Sequence, residues 1–181
     1  MKLSEFIEAV LITIGHSTED MDSEELESIK AKIRLAADMG MDAIARETYP
    51  LEKSEAVNGI QEYPMPDDCI KLLCYCGGKA ERYVDEAGKE VLRLLEAVEY
   101  RITYTHLPQF ISEHTGQEEY TFKFPRQVLQ ALIYYCCYHV LSPINDKREY
   151  AYFVNQYNQQ CANIVANLPR RCRVVGGKHG I

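Results

Sequence analysis

Two groups of cysteines offer the residue types best suited to chemistry in this chain. Cys74 and Cys76 precede a Gly-Gly turn, and Cys136, Cys137 and His139 lie close together further along. Thiolate and imidazole groups bind zinc, so these side chains could complete a four-ligand site. The spacing argues against it, because structural zinc sites usually place at least two residues between paired cysteines. We therefore expect these cysteines to pack in the core, with Cys74 and Cys76 on one face of a strand, and predict no metal site.

No catalytic pattern involves the histidines or the glycines. The chain has no His-Glu-x-x-His or Gly-x-Ser-x-Gly sequence, and Gly77-Gly78-Lys79 lacks the flanking residues of a phosphate-binding loop. Cys137 and His139 are two residues apart on a predicted helix, so their side chains do not face each other. The sequence predicts that the protein is not an enzyme and uses no cofactor.

Charge is unevenly distributed along the 181 residues. The net charge is −7, and residues 150–181 contain four basic and no acidic side chains, which leaves −11 on residues 1–149. An acidic body disfavours specific binding of nucleic acid, including base stacking on the 13 tyrosines. We predict that a tail, residues 169–181, docks on a partner through its basic side chains, which are Arg170, Arg171, Arg173 and Lys178.

The sequence contains neither a secretion signal nor a segment suited to span a membrane. The N-terminal segment carries Glu5 and Glu8 where a secretion signal would be apolar. The longest apolar run, Val128 to Leu141, is shorter than the roughly 20 residues of a membrane-spanning helix and contains polar side chains. We expect a protein of the cytoplasm, without membrane contact, whose seven cysteines stay reduced.

Apolar periodicity predicts four helices. The first begins at Ser4 and ends at Gly15, and the second runs from a capping residue, Asp22, to about Glu47, with Gly40 weakening its middle. A third starts at Pro125 and is apolar on nearly every side, which is typical of the centre of a core. Asn145 can cap the fourth, in which apolar residues repeat like a heptad seam: Tyr150, Val154, Tyr157, Cys161, Ile164 and Leu168.

Strand signals are confined to the middle of the chain. Residues 50–66 indicate an irregular connection, alternation begins at Cys69, and the clearest strand is Val98 to His106. The predicted fold class is therefore α+β, mostly α. One domain, residues 1–168, is expected to be a bundle of about four helices with a small antiparallel β insertion at about 69–106, followed by the extended tail.

The predicted fourth helix has an unusual outer face. This face carries only amides, namely Asn155, Gln156, Asn158, Gln159, Gln160, Asn163 and Asn167, and no charge occurs between Tyr150 and Pro169. A solvated helix face usually carries Lys and Glu, so an uncharged face indicates contact with another subunit. A merely polar solvated face remains the alternative.

The order of elements resembles a known family. Two N-terminal helices, a Tyr-x-x-Pro-x-Asp entry at Tyr63, Pro66 and Asp68, a strand-rich insertion, a helix opened by proline and a long last helix resemble the head-to-tail connector, or adaptor, proteins of tailed bacteriophages. The likeness spans about residues 23–168. It lies in layout and hydrophobic pattern.

This resemblance implies a structural protein of the virion, assembled in the host cytoplasm. Copies of the chain would form a ring, commonly of twelve, between the portal and the tail, through which DNA passes. The tail, residues 169–181, would dock on the portal, and the β insertion would meet tail or nozzle proteins. The alternative is a cytosolic interaction or regulatory module, with or without a bound metal.

Overall fold

A computed structural model describes residues 1–16, 22–141 and 146–168 of the chain. The α-helices are α1 (Leu3–Thr13), α2 (Ser23–Ala43), α3 (Arg126–Val140) and α4 (Lys147–Asn167). The strands, all between α2 and α3, are β1 (Leu51–Asn58), β2 (Glu62–Pro64), β3 (Cys69–Cys76), β4 (Ala80–Val84), β5 (Glu90–Leu94) and β6 (Glu99–His106). Among the described helices, none has the length and apolar character needed to cross a membrane.

The helices pack around α3, as its apolar sequence predicts. This helix contacts α1, α2 and α4, and its Leu132 and Cys136 side chains are fully buried. Asp22 caps α2 as predicted, since its carboxylate accepts a hydrogen bond from the Glu25 amide at 2.8 Å. Ser4 does not cap α1, because that helix begins one residue earlier, at Leu3.

Gly40 allows α2 and α3 to approach each other closely. A Cβ atom at this position would lie 2.6 Å from Leu132 Cδ1 and 2.8 Å from Tyr135 Cδ1, well inside ordinary contact distance. The residue that weakens α2 as an isolated helix therefore stabilises the packed pair, because it lets large side chains of α3 lie against the backbone of α2.

The six strands form two antiparallel sheets built from bent strands. The first sheet has the order β1-β6-β3 and the second the order β2-β5-β4. Three pairs of strands are continuous along the chain, and each pair contributes one strand to each sheet. β1 continues into β2 through residues 59–61, β3 into β4 through 77–79, and β5 into β6 through 95–98. Between the sheets lies a second hydrophobic core, separate from that of the helices, in which Leu92, Leu94, Tyr100, Ile102 and Tyr104 are fully buried.

The β region is larger than the sequence predicts. The expected mostly-α bundle with a small insertion at about 69–106 is wrong, because strands begin at Leu51 and make up 25% of the structure beside 50% helix. Residues 50–66, predicted to be irregular, contain β1 and β2. An edge strand needs fewer apolar side chains than a central one, and β1 places the charged Lys53 and Glu55 on its inward face, so it lacks the expected alternation.

Candidate assembly surfaces

The heptad-like seam of α4 packs on α3 of the same chain. The Tyr157 ring centroid lies 5.3 Å from that of Tyr135 and 5.9 Å from that of Tyr138, and Tyr150 meets Tyr138 at 5.8 Å. Burial raises the pKa of the Tyr138 and Tyr157 hydroxyls, so both remain protonated at neutral pH. The seam is therefore an intramolecular aromatic contact, and the remaining faces of α4 are available to a partner.

Those remaining faces carry no charge over most of the helix. Only Phe153 and Ile164 are buried among the 21 residues of α4, which span about 31 Å. After Glu149 the helix has no ionisable Lys, Arg, Asp or Glu side chain. Tyr152 is 54% exposed and Val165 51% exposed, and the other exposed residues of this stretch are small or amide-bearing: Ala151, Asn155, Asn158, Gln159, Ala162, Asn163, Ala166 and Asn167. We call this region the α4 amide face.

Composition distinguishes the α4 amide face from an ordinary solvated helix. The first turns of α2, by contrast, expose Glu24, Glu25 and Glu27 to water. Charged residues are depleted at the centres of protein interfaces, where their desolvation is costly, whereas amide side chains can exchange water for hydrogen bonds across the contact. A surface without charges along about 27 Å of helix therefore suits burial against another protein chain.

A β-bulge decides where the cysteines of β3 point. Leu72 pairs with Tyr104 of β6, but the next pair along is Cys74 with Thr103, so β3 contributes one residue more than β6. The side chains after the bulge consequently change faces: Leu72 is buried, whereas Cys74 and Cys76 are exposed. The prediction that Cys74 and Cys76 pack in the core is wrong for this reason.

The cysteines of α3 occupy a different environment. Cys136 and Cys137 are fully buried in the helical core, whereas Cys74 and Cys76 are exposed on β3. Burial raises the pKa of the Cys137 thiol to about 12, and that of Cys136 well above its ordinary value. The structure thus does not bring the two cysteine groups together, and the described residues contain no cluster of three or more metal-ligating side chains.

A charged network joins the two sheets beside the second core. Glu55 of β1 accepts hydrogen bonds from the hydroxyls of Tyr104, at 2.8 Å, and Tyr63 of β2, and pairs with Lys53 at 2.8 Å. The pKa of Glu55 is lowered from 4.5 to about 2, mainly by the hydrogen bond from Lys53 and to a lesser extent by those from the two tyrosines. The carboxylate therefore stays ionised and holds the bent β1–β2 segment against β6. The local sequence does not predict this network, because Tyr104 lies 49 residues after Glu55.

The predicted docking residues Arg170, Arg171, Arg173 and Lys178 lie outside the described residues, as does Asn145, the expected cap of α4. Asp146 occupies the cap position of that helix instead.

Comparison with known proteins adds no identity: no protein-family model matches the chain, and no curated protein matches it.

Proposed function

We propose that this protein is a structural component of the neck of a tailed-phage virion, where copies of it form a ring that joins the portal to the tail and lets DNA pass. The α4 amide face carries this proposal, because it offers a long uncharged surface to a neighbouring copy. The layout resemblance to head-to-tail connector proteins supplies the biological setting.

Two further features support a ring with distinct contacts above and below. The helices and the sheets have separate hydrophobic cores, so one part can meet the portal while the other meets tail or nozzle proteins. The net charge of −11 on residues 1–149 favours free passage of DNA, since an acidic lumen repels phosphate. The basic tail is the segment we assign to portal docking.

The assembly test uses the full chain mixed with the portal protein encoded nearest its gene. Light scattering should detect a complex and cryo-electron microscopy should resolve a ring of this chain on the portal. A protein that stays monomeric with its portal at every ionic strength would refute the ring and favour an interaction or regulatory module. In that case metal analysis of the purified protein becomes the next measurement.

Charges placed on the α4 amide face test which surface makes the ring. The double variant Asn155→Glu/Gln159→Glu should fold normally, because both positions are exposed, yet should lose ring assembly since like charges would meet in a desolvated contact. Gln127→Glu is the control: it makes the Gln-to-Glu change once, at an exposed position outside α4, in the first turn of α3. Rings formed by the double variant as readily as by the control would refute the α4 contact.

Deleting residues 169–181 tests the tail. We expect the shortened protein to keep its helical signal in circular dichroism, because both described cores lie within residues 1–168. It should no longer bind the portal. Unchanged portal binding would rule out the tail as the docking segment and leave the ring itself standing.

A further inference from the structure

The first sheet has two edges that no described strand covers. β1 and β3 each pair with β6 and with no other strand of the described chain. Both are eight residues long. Because both run antiparallel to β6, they run parallel to each other. A neighbouring copy placed side by side with this one would therefore present its β1 to β3 in parallel orientation.

β3 has few of the side chains that protect an edge from strand pairing, although its bulge after Leu72 is one protective feature. Edge strands of soluble proteins commonly carry charges or proline, whereas Lys71 is the single charged residue of β3 and the strand has no proline. A shallow, open depression of about 740 Å³ lies beside this strand, lined by Leu73 and Tyr75 of β3 and by Ala80 and Arg82 of β4.

The two sides of the β region carry opposite charge. The β1–β2 side, residues 51–64, has three acidic and one basic side chain, and the β3–β4 side, residues 69–84, has three basic and one acidic. The two sides therefore carry formal charges of −2 and +2, although Glu62 and Arg82 each pair with a side chain of β5. Unlike sides of neighbouring copies attract each other, whereas like sides repel. Contacts between unlike sides are heterologous, which is the kind that closes into rings.

We propose that β3 of one copy pairs in parallel with β1 of the next copy, so that the first sheets of all copies join around the ring. This inference rests on the proposed ring and specifies one of its contacts. The register of this pairing follows from the residues of β1 and β3 that lie beside the same residue of β6. Lys71 and Glu52 both lie beside Thr105 of β6, and Cys74 and Ser54 both lie beside Thr103. A neighbour at the same level brings its Glu52 next to Lys71 and its Ser54 next to Cys74.

This geometry allows a cross-link that reports only on contacts between copies. Within one chain, Ser54 and Cys74 lie on opposite sides of β6, so their Cα atoms are separated by two strand spacings, about 10 Å. A disulfide needs Cα atoms within about 7 Å. The variant Ser54→Cys therefore cannot close a bond with its own Cys74, but it can with the Cys74 of an adjacent copy in the proposed pair.

The experiment oxidises Ser54→Cys, assembled with its portal, with oxidised glutathione, which accepts the two electrons of each new disulfide. We expect a ladder of disulfide-linked multimers on a non-reducing gel, and at least tenfold less of it for Ser54→Cys/Cys74→Ser. Ser28→Cys, an exposed serine on α2, is the matched control and should give no ladder.

Three results would overturn the strand pairing. A ring seen by microscopy in which Ser54→Cys gives no ladder would refute this contact while leaving the proposed function intact. A dimer linked through Cys74 in the unsubstituted protein would indicate that two β3 edges meet each other, which also overturns it. Absence of any assembly would refute both the ring and the pairing.

Discussion

Replacing Glu55 by glutamine should destabilise the β region in a manner that depends on pH. The carboxylate accepts hydrogen bonds from Tyr63 and Tyr104 and pairs with Lys53, so the substitution removes the charge and leaves fewer oxygen acceptors for the same donors. Glutamine has a similar shape and introduces no cavity. Any loss of stability therefore reports on the network itself.

The shift in pKa sets the size of the effect. Lowering the pKa of Glu55 from 4.5 to about 2 corresponds to an upper bound of about 3 kcal/mol. Its side chain is 30% exposed, and screening by water reduces the expected value to roughly 1–2 kcal/mol. Because the folded-state pKa is depressed, this contribution is present at neutral pH and is lost as the pH falls from about 4.5 to about 2.

Urea unfolding followed by circular dichroism, for the wild type and the Glu55→Gln variant, measures this difference. The free energy of unfolding should differ by roughly 1–2 kcal/mol at neutral pH, and the difference should shrink towards zero near the folded-state pKa. Glu62→Gln on β2 is the matched control, because its pair with Arg93 is exposed on both sides. An equal difference at both pH values, or an equal cost in the control, would refute the network's role.

Three other substitutions or reactions test the packing. Gly40→Ala should lower the free energy of unfolding by about 1–3 kcal/mol despite the better helix propensity of alanine, because α3 leaves no room for the methyl group; a gain in stability on urea unfolding would contradict this. Gly77→Ala should cost about 3 kcal/mol or more, since the backbone there has φ +123° and a Cβ would lie 2.1 Å from the Glu99 carbonyl oxygen; an unchanged melting temperature would show otherwise. In the folded protein, iodoacetamide should modify Cys74 and Cys76 and spare the two cysteines of α3, as mass spectrometry of peptides would reveal, and all four should react after unfolding.

The helical part of the fold could be predicted from the sequence because its signals are local. Apolar residues at helical spacing mark α1 and α2, and Asp22 bonds to an amide only three residues away. The uncharged character of the α4 amide face was visible for the same reason. The residue types along one helix determine whether its surface is charged, whatever the helix packs against.

Tertiary structure alone decided the features that depend on pairing between distant segments. The bulge after Leu72 exists only relative to β6, and it turns Cys74 outwards where alternation predicts a buried side chain. β1 is a strand because it pairs with β6, which lies about 50 residues later along the chain. Its own polar sequence therefore does not predict a strand. Whether Gly40 weakens or stabilises the protein likewise depended on which side chains of α3 lie against it. Local sequence determines which elements are favourable in isolation, whereas register, edges and close approaches are set by partners that the local pattern does not contain.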